Sequence, residues 1–240
     1  MDDIARFGAY LSDEKHSSRN TVSSYLRDTT QFAEYLHNYC DIDLREADSA
    51  AVQDYMDWML SHGKSAASVT RFLASVKSFY SYMVAAGELK KNPAQGVAAA
   101  KVERKYPEIL TAKEVELFLE QPECVDAKGF RDHAMLELLY ATGIRVSEVR
   151  YITAEAAIDG RTEISMKGKV RTILIPQKLC RKLLHYARTQ GVTSGALFLT
   201  RTNRSLSRTQ IWAEMKKLCS AANVRKSKVF PHNLRHLFAK

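Results

Sequence analysis

No stretch of this chain is apolar for anything near the ~18 residues that cross a bilayer, so a membrane span is not expected. The N-terminus, Met1-Asp2-Asp3, is acidic and lacks the basic leading region of a secretory signal. Four cysteines occur, Cys40, Cys124, Cys180 and Cys219, and no two form a Cys-x-x-Cys pair. That argues against a disulfide framework and against a zinc site, and it fits a reducing cytoplasm. A GxxxxGK[ST] phosphate loop is missing, as is a carboxylate cluster suited to Mg²⁺. Nucleotide hydrolysis is therefore not indicated, and neither a cofactor nor a metal is expected. Acid is scarce at one end: residues 201–240 hold ten Lys/Arg against the single acid Glu214.

The charge that is present is unevenly placed. The chain of 240 residues carries +9 overall, long enough for one large domain or two small ones. Residues 1–100 hold 10 basic and 13 acidic side chains, giving −3, and residues 101–240 hold 26 and 14, giving +12. Such asymmetry points to a polyanion as the partner of the C-terminal part. The bland alternative is a solvated basic face.

The first hundred residues lack strand-like alternation and read as four helices. Ile4, Phe7 and Leu11 give one apolar stripe, and Val22, Tyr25, Leu26, Thr29, Phe32 and Leu36 give a second. Val52, Met56, Met59 and Leu60 form the third, stopped by Gly63. Val69, Phe72, Leu73, Val76, Phe79 and Met83 form the fourth, stopped by Gly87. A small helical bundle follows. The segment from Asn92 to Pro107, with two prolines, Gly96 and a basic end, reads as a linker.

Beyond the linker, Thr111-Ala112-Lys113-Glu114 has the spacing of a capping box and opens a helix. A helix over Arg131 to Thr142 is stopped by Gly143, which permits the left-handed turn that redirects the chain. Arg145 then stands at a helix–helix corner, free to point out of the scaffold or to pair with Glu148. Thr162–Met166 and Val170–Ile175 alternate as two strands of a hairpin whose tight turn is Lys167-Gly168-Lys169. Ala196–Thr200 is a candidate for one more short strand, and Leu206 to Ala221 reads as a helix. Pro231-His232-Asn233-Leu234-Arg235-His236 reads as a helix start, with proline in the first turn. His232 and Arg235, three apart, share a face there. A helix N-terminus, an imidazole and a guanidinium on one side make a seat for a phosphate.

Two stretches of the first hundred residues resemble the core-binding domain of tyrosine recombinases of the phage integrase and Xer type. They are Ser18-Arg19-Asn20-Thr21-Val22-x-x-Tyr25 and the helix Ser68 to Tyr80, followed by Asn92-Pro93-Ala94. Gly-Ile-Arg-Val-Ser-Glu at 143–148, the hairpin lysine and Pro-His-x-Leu-Arg-His at 231–236 resemble the catalytic domain of the same family. The resemblance covers nearly the whole chain. It implies a mainly α fold: a helical SAM-like DNA-binding domain over 1–98, a linker over 99–108, and an α-rich mixed α/β catalytic domain over 109–240.

The resemblance also implies roles. Arg145 and Arg235 match the family's two catalytic arginines, His232 the histidine of its His-x-x-Arg motif, and Lys167 the hairpin lysine, with Lys169 as the neighbouring alternative. Glu148 matches a supporting acid. Arg19, Asn20, Thr21, Arg71 and Lys77 fall where family members meet DNA. The implied activity is metal-free, cofactor-free strand cleavage and rejoining through a 3′-phosphotyrosyl link, on a specific duplex DNA site. The family's homo-tetramer is the implied assembly, with a monomer as the alternative for this chain. The family's later His or Trp and its nucleophilic tyrosine would lie beyond Arg235, and none of the eleven tyrosines does. The expectation is therefore a C-terminally incomplete site. A DNA-binding protein without catalysis and a type IB topoisomerase-like activity stay open beside recombination.

Overall fold

The computed structural model describes residues 2–102, 108, 110–166, 169–222, 224–225 and 228–238. The chain divides into two compact units, Met1–Arg104 and Lys105–Lys240.

The first unit is helical. It contains α1 (Asp2–Ala9), α2 (Arg19–Tyr35), α3 (Ser49–Ser61) and α4 (Ala66–Ala85), with α1 and α2 each running on into one π-type turn. The starts are capped by side chains. Ser18, Asp48 and Ser65 accept hydrogen bonds from the backbone N–H of Thr21, Ala51 and Ser68. Gly63 and Gly87 follow α3 and α4 with φ of 78° and 75°. α4 supplies the middle of the core: Val69, Phe72, Leu73, Val76, Phe79 and Met83 are all buried, as the 3/4 spacing requires. Aromatic edges fill the remaining volume, with Phe7 against Phe79 at 5.4 Å and Phe32 against Phe72 at 5.7 Å. Asp3 clasps Arg6 and Arg45, so that α1 is tied to the loop after α2.

The second unit contains α5 (Ala112–Leu119), α6 (Ala127–Thr142), α7 (Ala154–Asp159), strands β1 (Arg161–Met166) and β2 (Lys169–Leu174), α8 (Gln177–Thr189), α9 (Arg208–Ala221) and α10 (Pro231–Phe238). The capping box at Thr111 is made in full. α6 runs through the interior, with Ala134, Met135, Leu136, Leu138 and Leu139 buried, and packs on α8 and α10. It starts at Ala127, earlier than its apolar face suggests, because Asp126 caps it through the Gly129 N–H at 2.7 Å.

β1 and β2 pair antiparallel, Arg161 opposite Leu174 through Met166 opposite Lys169. The short strand expected over Ala196–Thr200 does not form. Ala196 bridges Thr153 and Leu199 bridges Ser205, so the two ends pair with different partners and no ladder grows. Among the described residues no helix is long and apolar enough to cross a membrane.

Candidate active site

Three segments of the second unit converge: the turn after α6, the strand β2 and the start of α10. α6 ends where Gly143 takes a left-handed φ of 56°. The chain then turns through Arg145, and Glu148 N–H bonds back to the Arg145 carbonyl at 2.8 Å. The corner expected between two helices is thus a turn leading into a short 3₁₀ segment, Val149–Tyr151.

Glu148 is 1 % exposed, yet both its oxygens are used. Oε2 accepts the Arg145 backbone N–H at 2.9 Å, and Oε1 accepts the Arg145 Nη1 at 2.8 Å. From β2, Arg171 Nη1 donates to the same two oxygens at 3.3 and 3.2 Å. Burial by itself raises the Glu148 pKa. The Arg145 hydrogen bonds and the charges of Arg171 and Arg145 outweigh it and hold the carboxyl below its usual range. The two roles open to Arg145 coexist: it pairs with Glu148, and its side chain remains 52 % exposed.

α10 meets this corner from the other side. Arg235 Nη1 donates to the Gly143 carbonyl at 2.5 Å. A β-carbon at Gly143 would sit 2.5 Å from Phe238 Cδ1, so only glycine lets α10 lie this close. Asn233 is fully buried and anchors the first turn of α10, its amide donating to the carbonyls of Glu108 at 2.9 Å and Lys228 at 2.7 Å. Burial lowers the Arg235 pKa, and the nearby cations Arg171 and Arg145 lower it further.

A cavity of about 320 Å³ opens over these groups, lined by Arg145, His232 and Arg235 together with Arg208, Trp212 and Phe230. His232 is exposed, with its ring 4.6 Å from that of His236. The guanidiniums of Arg145 and Arg171 pair with the single carboxylate of Glu148, and that of Arg235 lies close enough to feel the charges of all three. Two positive charges are left over in a partly desolvated place, which suits a bound oxyanion. Among the described residues no group of three His, Cys, Asp or Glu side chains is arranged to hold a metal ion.

The remaining expected residues are spread. Lys167 lies outside the described residues. Lys169 is the first residue of β2; it is exposed and does not line the cavity. In the first unit, Arg19 and Asn20 are exposed at the start of α2, and Thr21 is half-buried with its hydroxyl 2.9 Å from that of Ser18. Arg71 and Lys77 are engaged internally: Arg71 forks onto the buried Asp28 at 2.5 and 2.8 Å, and Lys77 donates to the Val97 carbonyl at 2.9 Å. Sequence reasoning passed over Arg171, Arg208 and Trp212. Period-two alternation places Arg171 on the face of Ile173, and Arg208 and Trp212 are one helical turn apart behind the Ser207 capping box.

Residues 108–240 match the model of the phage integrase family, and residues 4–87 match that of the phage integrase N-terminal SAM-like domain. The chain belongs to the phage integrase family of tyrosine recombinases. As such it is a site-specific recombinase enzyme. The recombinase is 33 % identical over 245 residues to the tyrosine recombinase XerD of Staphylococcus epidermidis, an alignment covering 98 % of this chain and 83 % of that one. Against XerD of Staphylococcus aureus the identity is 32 % over 247 residues, with the same coverage. Its fold is similar to that of the chain in a lambda integrase tetramer bound to a Holliday junction (TM-score 0.81, 18 % identity, 99 % of this chain and 68 % of the other). It is similar, too, to that of the Tn1549 transposon integrase in complex with transposon right end DNA (TM-score 0.74, 16 % identity, 98 % and 84 %). The mainly helical two-part fold expected from the sequence is the fold observed.

Proposed function

We propose that this recombinase binds a specific duplex DNA site and activates one phosphodiester for transfer to a tyrosine oxygen. Arg145 and Arg235 clamp the two non-bridging oxygens, where negative charge grows as the phosphorus becomes five-coordinate. His232, at the start of α10, orients the phosphate or handles the tyrosine proton. A hairpin lysine, Lys167 or Lys169, protonates the leaving 5′ oxygen as general acid. The bond energy is kept in a 3′-phosphotyrosyl link, so rejoining needs no nucleotide. Residues 1–98 form the core-binding part, 99–108 the linker and 109–240 the catalytic part, and Arg19, Asn20 and Thr21 meet the DNA backbone from the first. Four copies on two paired sites are the working assembly, in the cytoplasm.

The observation that carries this reading is the shared cavity of Arg145, His232 and Arg235, with positive charge in excess around one buried carboxylate. The test is selection of binding sites from a randomised duplex pool, followed by titration of the selected duplex at several salt concentrations. Phosphate contacts dominate on this view, so log affinity falls with log salt at a slope of about −0.9 per contact. Alanine at both Arg145 and Arg235 reduces that slope by about two. An affinity unaffected by salt, or no duplex enriched at low salt, overturns the proposal.

A further inference from the structure

β2 turns Arg171 inward beside a buried isoleucine. Lys169, Arg171 and Ile173 share one face, on which Ile173 is buried, while Val170 and Leu174 on the opposite face are exposed. Across the hairpin Arg171 stands opposite Ile164, also buried. A guanidinium at that position needs a partner, and among the described residues its ion pair is with Glu148, 23 residues earlier in the chain. That carboxylate already holds the backbone and the side chain of Arg145. One buried group thus receives the arginine corner on one side and the hairpin on the other. Among the described residues the hairpin has no third strand to fix its tilt. Among these residues, the Arg171–Glu148 contact is a polar tie between the hairpin and the corner.

We infer that Arg171 is a positioning residue of the strand-transfer site: through Glu148 it sets β2, and Lys169 at the start of β2, in register with Arg145. The inference rests on the reading of Arg145 and Arg235 as a phosphate clamp. It adds that the clamp and the hairpin are placed by one shared carboxylate and are not independent. Loss of Arg171 should therefore free the hairpin and loosen the anion seat together, although Arg171 is not itself one of the residues lining the cavity.

The experiment uses the 240-residue chain and two readouts. Hydrogen exchange follows the amides of β1 and β2. Orthovanadate, a phosphate mimic, is titrated by tryptophan fluorescence in a Trp58→Phe background, which leaves Trp212 in the cavity as the sole tryptophan. Arg171→Met keeps the apolar length of the side chain without its charge. It should speed hairpin exchange about tenfold, the scale of one charge-assisted hydrogen bond, and weaken vanadate severalfold. Arg171→Lys keeps a cation for the carboxylate and should restore part of both.

In a Glu148→Gln background, Arg171→Met should add little, because its partner charge is gone. If Glu148→Gln does not fold, the comparison of lysine with methionine at position 171 carries the test. Equal exchange in those two variants, or hairpin protection unchanged in both, overturns the inference. Duplex DNA binding by the unsubstituted chain is measured alongside. Its absence with a hairpin freed by Arg171→Met would sink the clamp reading and leave the tether standing.

Discussion

At the scale of the residue, the same chemistry serves two purposes in the two units. Arg71 sits where relatives are expected to meet DNA, yet its fork is committed to Asp28, which is 3 % exposed and also accepts the Ser75 hydroxyl at 2.7 Å. Removing the guanidinium leaves a buried carboxylate with one neutral donor, and that is costly. Arg71→Ala is expected to lower the stability of the first unit by about 2 kcal/mol, less than the roughly 3–5 kcal/mol of a fully buried pair because Arg71 is itself half-exposed. Urea unfolding followed at Trp58, the tryptophan of that unit, measures it. Weakened DNA binding with unchanged stability would instead make Arg71 a DNA contact.

Glu148 gives a pH signature. Its carboxyl is held below the ordinary 4.5, so its ionised form stabilises the fold fully above that value. The contribution is lost as pH falls from 4.5 through the lowered folded pKa. The stability difference between the unsubstituted chain and Glu148→Gln, read at Trp212, should therefore shrink on acidification below about pH 4.5. A difference constant from pH 7 to pH 3 would contradict this.

At the scale of the element, the decisive contact is α10 on the end of α6. Gly143 holds a φ closed to most side chains, offers its carbonyl to Arg235 and leaves room for Phe238. Gly143→Ala adds backbone strain of about 1 kcal/mol and drives a methyl into the Phe238 ring. The expected result is lower stability of the second unit and weaker oxyanion binding, because α10 must shift and Arg235 shifts with it. Phe238→Ala in the same chain should restore part of the binding while leaving the backbone strain. If the double variant binds as weakly as Gly143→Ala, the clash is not what moves α10. Much of this was legible beforehand: glycine after an apolar helix stripe, then Arg145 and Glu148 three apart, then Pro231-His232. The salt bridge and the exposed guanidinium were set against each other as rival roles for Arg145; one arginine fills both. The helix α8 was legible and passed over, since Leu179, Leu183 and Tyr186 carry a plain 3/4 pattern. α7 has only six residues, and it is held by the Thr153 cap and Gly160 more than by any periodicity. Arg171 was hidden because its partner is distant in the chain, and no local pattern states which carboxylate a strand arginine will find.

At the scale of the whole molecule, the groups proposed to act on the cavity stabilise and orient; among the described residues lining it there is no tyrosine. The tyrosines of the second unit that are described lie elsewhere. Tyr186 is buried, and burial pushes its pKa up to about 12. Tyr140 and Tyr151 are exposed, with the Arg150 guanidinium over the ring of Tyr151. A phenol that is to attack phosphorus must reach the clamp and lose its proton as it does so, and a buried, hard-to-ionise Tyr186 does neither. If Arg145 and Arg235 form an oxyanion seat that no tyrosine of this chain reaches, it keeps only slow attack by water, because groups that act as a unit lose most of their effect when one is missing. The 240 residues are therefore expected to bind duplex DNA and to form no covalent adduct with it. The check is incubation with a nicked suicide duplex carrying the selected site, then denaturation in detergent. A protein–DNA band that survives detergent and vanishes on protease treatment would overturn the expectation. Replacing Tyr140, Tyr151 and Tyr186 in turn by phenylalanine would then show which of them had reached the phosphate between Arg145 and Arg235.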